Sequence, residues 1–585
     1  MADIQTEVLI IGTGPAGSSL AALLATQGVE TLVINRYRWL ANSPRAHITN
    51  QRTMEVLRDL GHDVEEEAYI HATEQELMGQ NVFCSSLAGE ELGRLPAWGT
   101  HPLSKAEHQL SSPSLMNDLP QTLMEPLLFK TACARGAQAR MSCNYLSHVQ
   151  DEDGVTTTIE DRLSGKTFTV RSKYLVGADG ANSKVAEDLN LPLEGKMGVS
   201  GSINFLFKAD LTRFVAHRPS VLYWVIQPGS DVGGIGAGVV RMVRPWNEWL
   251  AIWGYDIAEG PPDLSDDQAK KIIRDLVGDP DLDVDLREVS YWTVNDVHAT
   301  RLQEGRVFCV GDAIHRHPPT NGLGSNTSIQ DSFNLAWKLA AVLKGAAGSG
   351  LLDTYTDERA PVAKQIVARA NKSIGDYGPI FAALGLTETN DPAEMQANMD
   401  KRAADTVEAA KQRSDLRIAI ANKRYEYDAH GVEMNQRYSS SAILHDGSAG
   451  PALGSDPELH HQQTTFPGAR VPHAWVFDAS GQKVSILDLC GKGGFTLLTG
   501  NGGGAWIDAA EDFSQQSKVD LRSFMIGPKR NFQDHTGDWA RLCEIEDDGC
   551  LIVRPDHHVC FRARTMVQNS EMTLRDVMMR VLCQV

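Results

Sequence analysis

No run of about 18 apolar residues occurs in this chain of 585 residues, so the sequence predicts no membrane-spanning helix. The opening residues carry neither a basic leader nor a small-residue cleavage site. They enter a strand at once, at Glu7–Ile11, and no secretory signal is expected. No Cys-x-x-Cys pair is present. The nine cysteines (Cys84, Cys133, Cys143, Cys309, Cys490, Cys543, Cys550, Cys560 and Cys583) are odd in number and scattered, which suggests free thiols in a reducing, cytoplasmic compartment and no metal site. A basic excess is also missing. Lys and Arg number 55 against 75 Asp and Glu, a net charge of −20, which makes nucleic acid or an anionic membrane a poor partner.

What is present is a long globular chain. Hydrophobic content of 42% and charged content of 22% fit folded domains, and the length corresponds to roughly three to four of them. Three glycine-rich stretches, far apart, look built to hold one dinucleotide. The first is Gly12-Thr13-Gly14-Pro15-Ala16-Gly17, between the apolar run Val8-Leu9-Ile10-Ile11 and a helix predicted over Pro15–Gln27. In that arrangement Gly12 makes the tight turn, Gly14 lets backbone approach a pyrophosphate, and Gly17 lets helix and strand pack. A second strand, Thr31–Ile34, ends at Asn35 and Arg36 instead of the usual acid. Asn35 can still hydrogen-bond a ribose hydroxyl, and Arg36 can stack on adenine or contact phosphate. The second stretch is Gly177-Ala178-Asp179-Gly180, after the buried run Tyr174–Val176. The third is Gly311-Asp312 running on to Pro318-Pro319-Thr320-Asn321-Gly322-Leu323-Gly324-Ser325-Asn326, after Val307–Val310 and before a helix predicted over Thr327–Lys344. His315 and His317 suit a role in this loop better than a metal site.

Between about 195 and 300 the texture turns strand-like: Ser202–Phe207, Val221–Ile226, Gly236–Met242, Trp249–Tyr255 and Glu288–Val294, rich in Trp and Tyr. Most of these aromatics must fill a sheet core, and a minority can line an aromatic-substrate cavity. Residues 355–425 read as helical. Val484–Leu487, Phe495–Leu498, Leu521–Ile526 and Leu551–Val553 read as strands of a C-terminal unit that closes with a helix at Glu571–Val581. The chain therefore divides into a dinucleotide-binding part (1–190), an inserted sheet domain (191–300), the second dinucleotide-binding part with connecting helices (301–430), a linker (431–470) and a C-terminal domain (471–585).

Taken with Pro44-Arg45-Ala46-His47-Ile48-Thr49-Asn50-Gln51-Arg52-Thr53-Met54-Glu55, the three stretches resemble the fingerprints of the single-component FAD-dependent aromatic hydroxylases, in the branch of the phenol hydroxylases. Departures are Asn321 where the family often has Gly, Ser328 where it often has Gly, and Ala186 in place of a common Arg. The resemblance implies an α/β fold: a Rossmann-like FAD-binding domain with an inserted mixed β-sheet substrate domain and a thioredoxin-like C-terminal domain. It implies FAD, NADPH or NADH as co-substrate, molecular oxygen, and ortho-hydroxylation of a phenol to a catechol through a flavin hydroperoxide, in a homo-oligomer (dimer or tetramer). His47 matches the position of a base, Arg241 a position that stabilises phenolate or gates the flavin, and Asn204, Trp224 and Pro319 pocket positions. Besides Gly12 to Gly17, Asn35 and Arg36, cofactor contacts fall on Arg45, Gln121, Asp179, Asp312, Pro319, Gly322, Leu323, Gly324, Ser325 and Asn326. Other readings stay open: a hydroxylase of aromatic carboxylates using Arg241 or Arg244, a flavin oxidase or dehydrogenase, a halogenase, or a non-enzymatic flavin-binding protein.

Overall fold

The computed structural model describes residues 2–229, 235–452 and 454–584. The N-terminal β–turn–α–β unit is strand Ile4–Ile11, helix Pro15–Thr26 and strand Thr31–Asn35. Val8, Leu9 and Ile10 are fully buried in one apolar cluster with Leu20 and Leu24 of the next helix and with Tyr145, Val155 and Ile159, which is why the strand reads as a continuous apolar run instead of an alternating one. Helix Pro15–Thr26 is itself buried from Ala16 to Ala25, wedged between helices Gly324–Leu343 and Gln121–Ala134.

The sheet places Gln303–Glu304, Val307–Cys309, Lys166–Gly177, Ile4–Ile11, Thr31–Asn35 and Gln138–Met141 side by side. Strand Ile4–Ile11 runs parallel to both Thr31–Asn35 and Lys166–Gly177, and the latter runs parallel to Val307–Cys309. Each of the three glycine-rich stretches leaves the carboxyl end of one of these three neighbouring parallel strands. Segments starting at Gly12, Gly177 and Gly311 are thus delivered to one edge, where open α/β sheets bind ligands.

The second sheet runs His315–Arg316, Asp285–Ala299, Leu193–Lys208, Glu248–Tyr255, Ile235–Arg244, Leu222–Pro228, Gln80–Cys84, Glu91–Pro96. Its last two strands come from the N-terminal part, and Leu222–Pro228 joins Gln80–Cys84 in parallel. Tyr223 and Trp249 fill its core, whereas Tyr291 is exposed. The stretch read as a linker contains helix His430–Met434 and buries Tyr438, Ala442 and Ile443. The C-terminal unit has a four-stranded sheet, Leu521–Met525, Phe495–Thr499, Cys550–Val553, Val559–Ala563, flanked by helices Gly504–Gln516 and Ser570–Val581. One expected strand is corrected here. Only Lys483–Ser485 is extended. Ser485 and Asp488 form a capping box that starts helix Ile486–Leu489 within the apolar run. Among the described residues no helix is long and apolar enough to cross a membrane.

The first turn tolerates little. A Cβ at Gly17 would stand 2.0 Å from the Gly12 carbonyl oxygen. Gly17→Ala is expected to destabilise the fold by about 2 kcal/mol or more, read as a lower denaturant midpoint in equilibrium unfolding.

Candidate functional site

The first glycine stretch and the third share one crevice, lined by Pro15, Ala46, Thr49, Gln121, Ser325 and Asn326. Gly14 borders open space: a Cβ there would have no neighbour nearer than a Glu125 carboxylate oxygen at 3.9 Å. Gly12 and Gly17 are required by the protein's own packing, so Gly14 is the glycine whose bare backbone is left for a ligand. Helix Gly324–Leu343 begins at the crevice, and its first free amides give an anion site with the positive end of the helix behind them. The loop before it reverses at Asn321 and Gly322, both left-handed (φ 64° and 62°). Asn tolerates this conformation better than most residues. The Asn321 amide also donates to the carbonyls of Tyr425 (2.7 Å) and Glu426 (3.3 Å). Asn thus serves where Gly was anticipated.

Asn326 ties this loop to the segment carrying His47. Its Nδ2 donates to the Ile48 carbonyl at 2.8 Å, and its Oδ1 accepts from the Asn50 amide at 3.0 Å. Across the crevice Ile48–Thr49 pairs with Asn117–Asp118. That ladder places Asp118 Oδ1 2.7 Å from His47 Nδ1. Asp118 is fully buried, and its other oxygen accepts from the Thr73 hydroxyl at 2.8 Å. A carboxylate accepts, so Nδ1 carries the imidazole proton and Nε2 is left with its lone pair. Burial holds the imidazole below its usual range, the Arg241 cation adds to this, and Asp118 opposes both. His47 is thereby held oriented, with burial and Arg241 favouring its neutral form. Asp118 lies in no recognisable motif, and the sequence reading missed it; only the pairing of two short strands brings it to His47.

Arg241 is buried and donates to the backbone carbonyls of Pro44 and Arg45, while its Nε has no partner among the described residues. Burial pushes its pKa down to about 10. It braces the His47 segment and brings positive charge to it. Arg244 donates to the His71 carbonyl at 2.9 Å. Both arginines thus spend donors on backbone carbonyls.

Other anticipated residues divide by how free they are. Arg45, Asp312 and Pro319 are exposed, and Ser325 half-buried. Gly322, Leu323 and Gly324 sit in the loop just described. Gln121 takes part in the crevice wall, its Nε2 donating to Glu125 at 2.6 Å. Asn35 is occupied locally, giving its amide to Thr13 Oγ1 at 2.7 Å and the Trp39 carbonyl at 3.1 Å, while Arg36 is exposed over the Tyr37 ring. Asp179 accepts from Ser183 Oγ and the Lys184 amide, which caps its own helix. In the second sheet Asn204 accepts from the Trp292 indole at 3.0 Å. Trp224 donates to the Tyr427 hydroxyl at 2.6 Å and lies 4.2 Å from the Tyr377 ring. Ile48 belongs to the same apolar cluster as Phe205, Tyr223 and Trp98, so the His47 segment borders an aromatic-rich interior.

A crevice at the carboxyl edge of a parallel sheet, with a carboxylate-paired imidazole and an aromatic-rich sheet beside it, suits the class of flavin-dependent aromatic hydroxylases. The chain belongs to the FAD binding domain family, whose profile matches residues 5–370; the profile of the aromatic-ring hydroxylase C-terminal domain matches residues 464–584. It is 58% identical to the 2,4-dichlorophenol 6-monooxygenase of Cupriavidus pinatubonensis (strain JMP 134 / LMG 1197) over 99% of this chain and 96% of that protein. It is 51% identical to the phenol 2-monooxygenase of Pseudomonas sp. (strain EST1001) over 98% and 92%. The flavin-dependent monooxygenase PieE, solved in complex with FAD and substrate, superposes with a TM-score of 0.95 at 45% identity over the whole of both chains.

Because Gly14 faces open space, Gly14→Ala should fold normally and lose FAD affinity by about ten-fold or more, measured by flavin fluorescence titration of the apoprotein.

Proposed function

We propose that this protein hydroxylates a phenol, chlorinated phenols included, at the ortho position, consuming NAD(P)H and O2. The balance is phenol plus O2, NAD(P)H and a proton to catechol, water and NAD(P)+. FAD, when bound, supplies electron transfer from NAD(P)H and activation of oxygen. The residues that fit it are the turn at Gly12 and Gly14, the exposed Asp312, and the helix start at Gly324, Ser325 and Asn326.

The observation that carries this reading is that Asn326, which lines the crevice, bonds the Ile48 carbonyl directly beside the Asp118-paired His47. A phenolate ring is far more electron-rich than a phenol. Phenol titrates near about 10 and free imidazole near about 6.5, so His47 Nε2 takes the hydroxyl proton only when that proton is transferred in a prepared site. Asp118 holds the ring and stabilises the imidazolium that forms. Arg241, deprived of solvent, favours the phenolate beside it. The apolar surroundings of Ile48 limit water entry, and a dry site favours hydroxylation over loss of the oxygen as peroxide. The direct test is incorporation of one atom of labelled O2 into the catechol formed from phenol or 2,4-dichlorophenol. Peroxide release without ring labelling refutes the reading in favour of an oxidase.

His47→Ala should retain FAD and lower the hydroxylation rate by about 10²- to 10⁴-fold. The base works only when neutral, and burial lowers its pKa, so the acid limb of kcat/KM should lie below about 6.5. Asp118 raises the His47 pKa, so Asp118→Asn should slow turnover and move that limb further toward acid. A limb at or above 6.5 in the wild type contradicts the assignment.

A further inference from the structure

The tip of a hairpin in the C-terminal domain, residues 554–558, joins strands Cys550–Val553 and Val559–Ala563. Hairpin tips are ordinarily solvated. Here Arg554, Asp556, His557 and His558 are all 3% exposed or less. Burying four ionisable side chains is costly unless each is paired. Asp556 pairs with Arg554 and His558 within the tip, and the remaining partners lie outside the C-terminal domain.

On one side the tip grips helix Gly324–Leu343, which starts at the flavin loop. Glu358 accepts from both terminal nitrogens of Arg554 (2.6 and 2.8 Å) and from Asn334 (2.7 Å) and Lys338 (2.8 Å) of that helix. Asn334 also donates to Asp556 at 3.1 Å. On the other side the tip grips helix Gln51–Leu60, which starts four residues after His47. Arg52 donates to the Asp556 carbonyl at 2.6 Å, and His557 lies 3.1 Å from Asp59. At their N-terminal ends the same two helices are also tied to each other, by Asn326 to Ile48 and Asn50.

We propose that this tip is a positioning device: by bridging the two helices it fixes the distance between His47 and the flavin loop, so that Arg554 and His557 are positioning residues for the reaction. The inference rests on the functional reading above. Paired buried charges add little net stability over apolar packing but impose strict geometry, which suits setting a register better than adding free energy.

The test compares FAD-loaded full-length Arg554→Met and His557→Gly with Arg562→Met. His557 is left-handed (φ 67°), so glycine suits its backbone and this variant should fold even if Arg554→Met does not. Arg562 pairs with Asp446 and Glu544, away from both helices, and controls for general loss of stability. Catechol formed and peroxide released per NAD(P)H oxidised are measured, with FAD affinity of the apoprotein in parallel. Uncoupled turnover passes both electrons of NAD(P)H to O2, giving H2O2. We expect product per NAD(P)H to fall about two-fold or more in the two tip variants, with peroxide making up the difference, and FAD affinity to fall about ten-fold, while Arg562→Met keeps wild-type coupling. Wild-type coupling and FAD affinity in His557→Gly, or equal uncoupling in Arg562→Met, overturn the proposal. A wild type that hydroxylates no phenol faults the functional reading, and the FAD affinities still decide the positioning role.

Discussion

The side chain of Asn326 carries the site. Its amide nitrogen gives a hydrogen bond to Ile48 and its oxygen takes one from Asn50, so one residue acts as a short rung between the third glycine-rich loop and the segment holding His47. Both bonds are buried, and an unmade partner there would cost about 1–3 kcal/mol. The crevice, the helix start that faces it and the base beside it keep their mutual geometry because this rung does.

Two further layers support that rung. The parallel sheet brings the three glycine-rich turns to one edge, so the cofactor site does not depend on loops finding each other. Behind the loop, Asp331 accepts from the Gly311 amide (3.1 Å), from His315 (2.9 Å) and from Arg359 (2.7 Å), all buried. The two histidines first considered as a loop pair thus separate in role: His315 holds the loop through Asp331, while His317 bonds the neighbouring Pro318 carbonyl. Charge buried in pairs fixes the loop from within, and the C-terminal hairpin does the same for the helices from outside.

Much of this was legible in the chain because it is written locally. Apolar runs followed by glycine mark the parallel strands, and Pro44–Glu55 carries enough of a motif to single out His47. What was hidden is long-range. Gln80–Cys84 and Glu91–Pro96 have mixed polarity, and this hairpin joins the second sheet only where Gln80–Cys84 meets Leu222–Pro228, more than a hundred residues on. Asp118 becomes a partner of His47 only through a two-residue ladder. Arg241 carries a positive charge that the sequence shows, but its hydrogen bonds to Pro44 and Arg45 depend on the sheet domain docking onto the first domain. Asn35 and Asp179, singled out by residue type as cofactor contacts, also make local hydrogen bonds that only the folded turns reveal.

The most direct measurement is a crystal structure of the FAD complex with a bound phenol. The account predicts the isoalloxazine ring between the Gly324–Asn326 amides and the Ala46–His47 segment, with the phenol oxygen within hydrogen-bonding distance of His47 Nε2 and Asp118 still on Nδ1. A ring seated away from that crevice, or a phenol oxygen out of reach of His47, would contradict it.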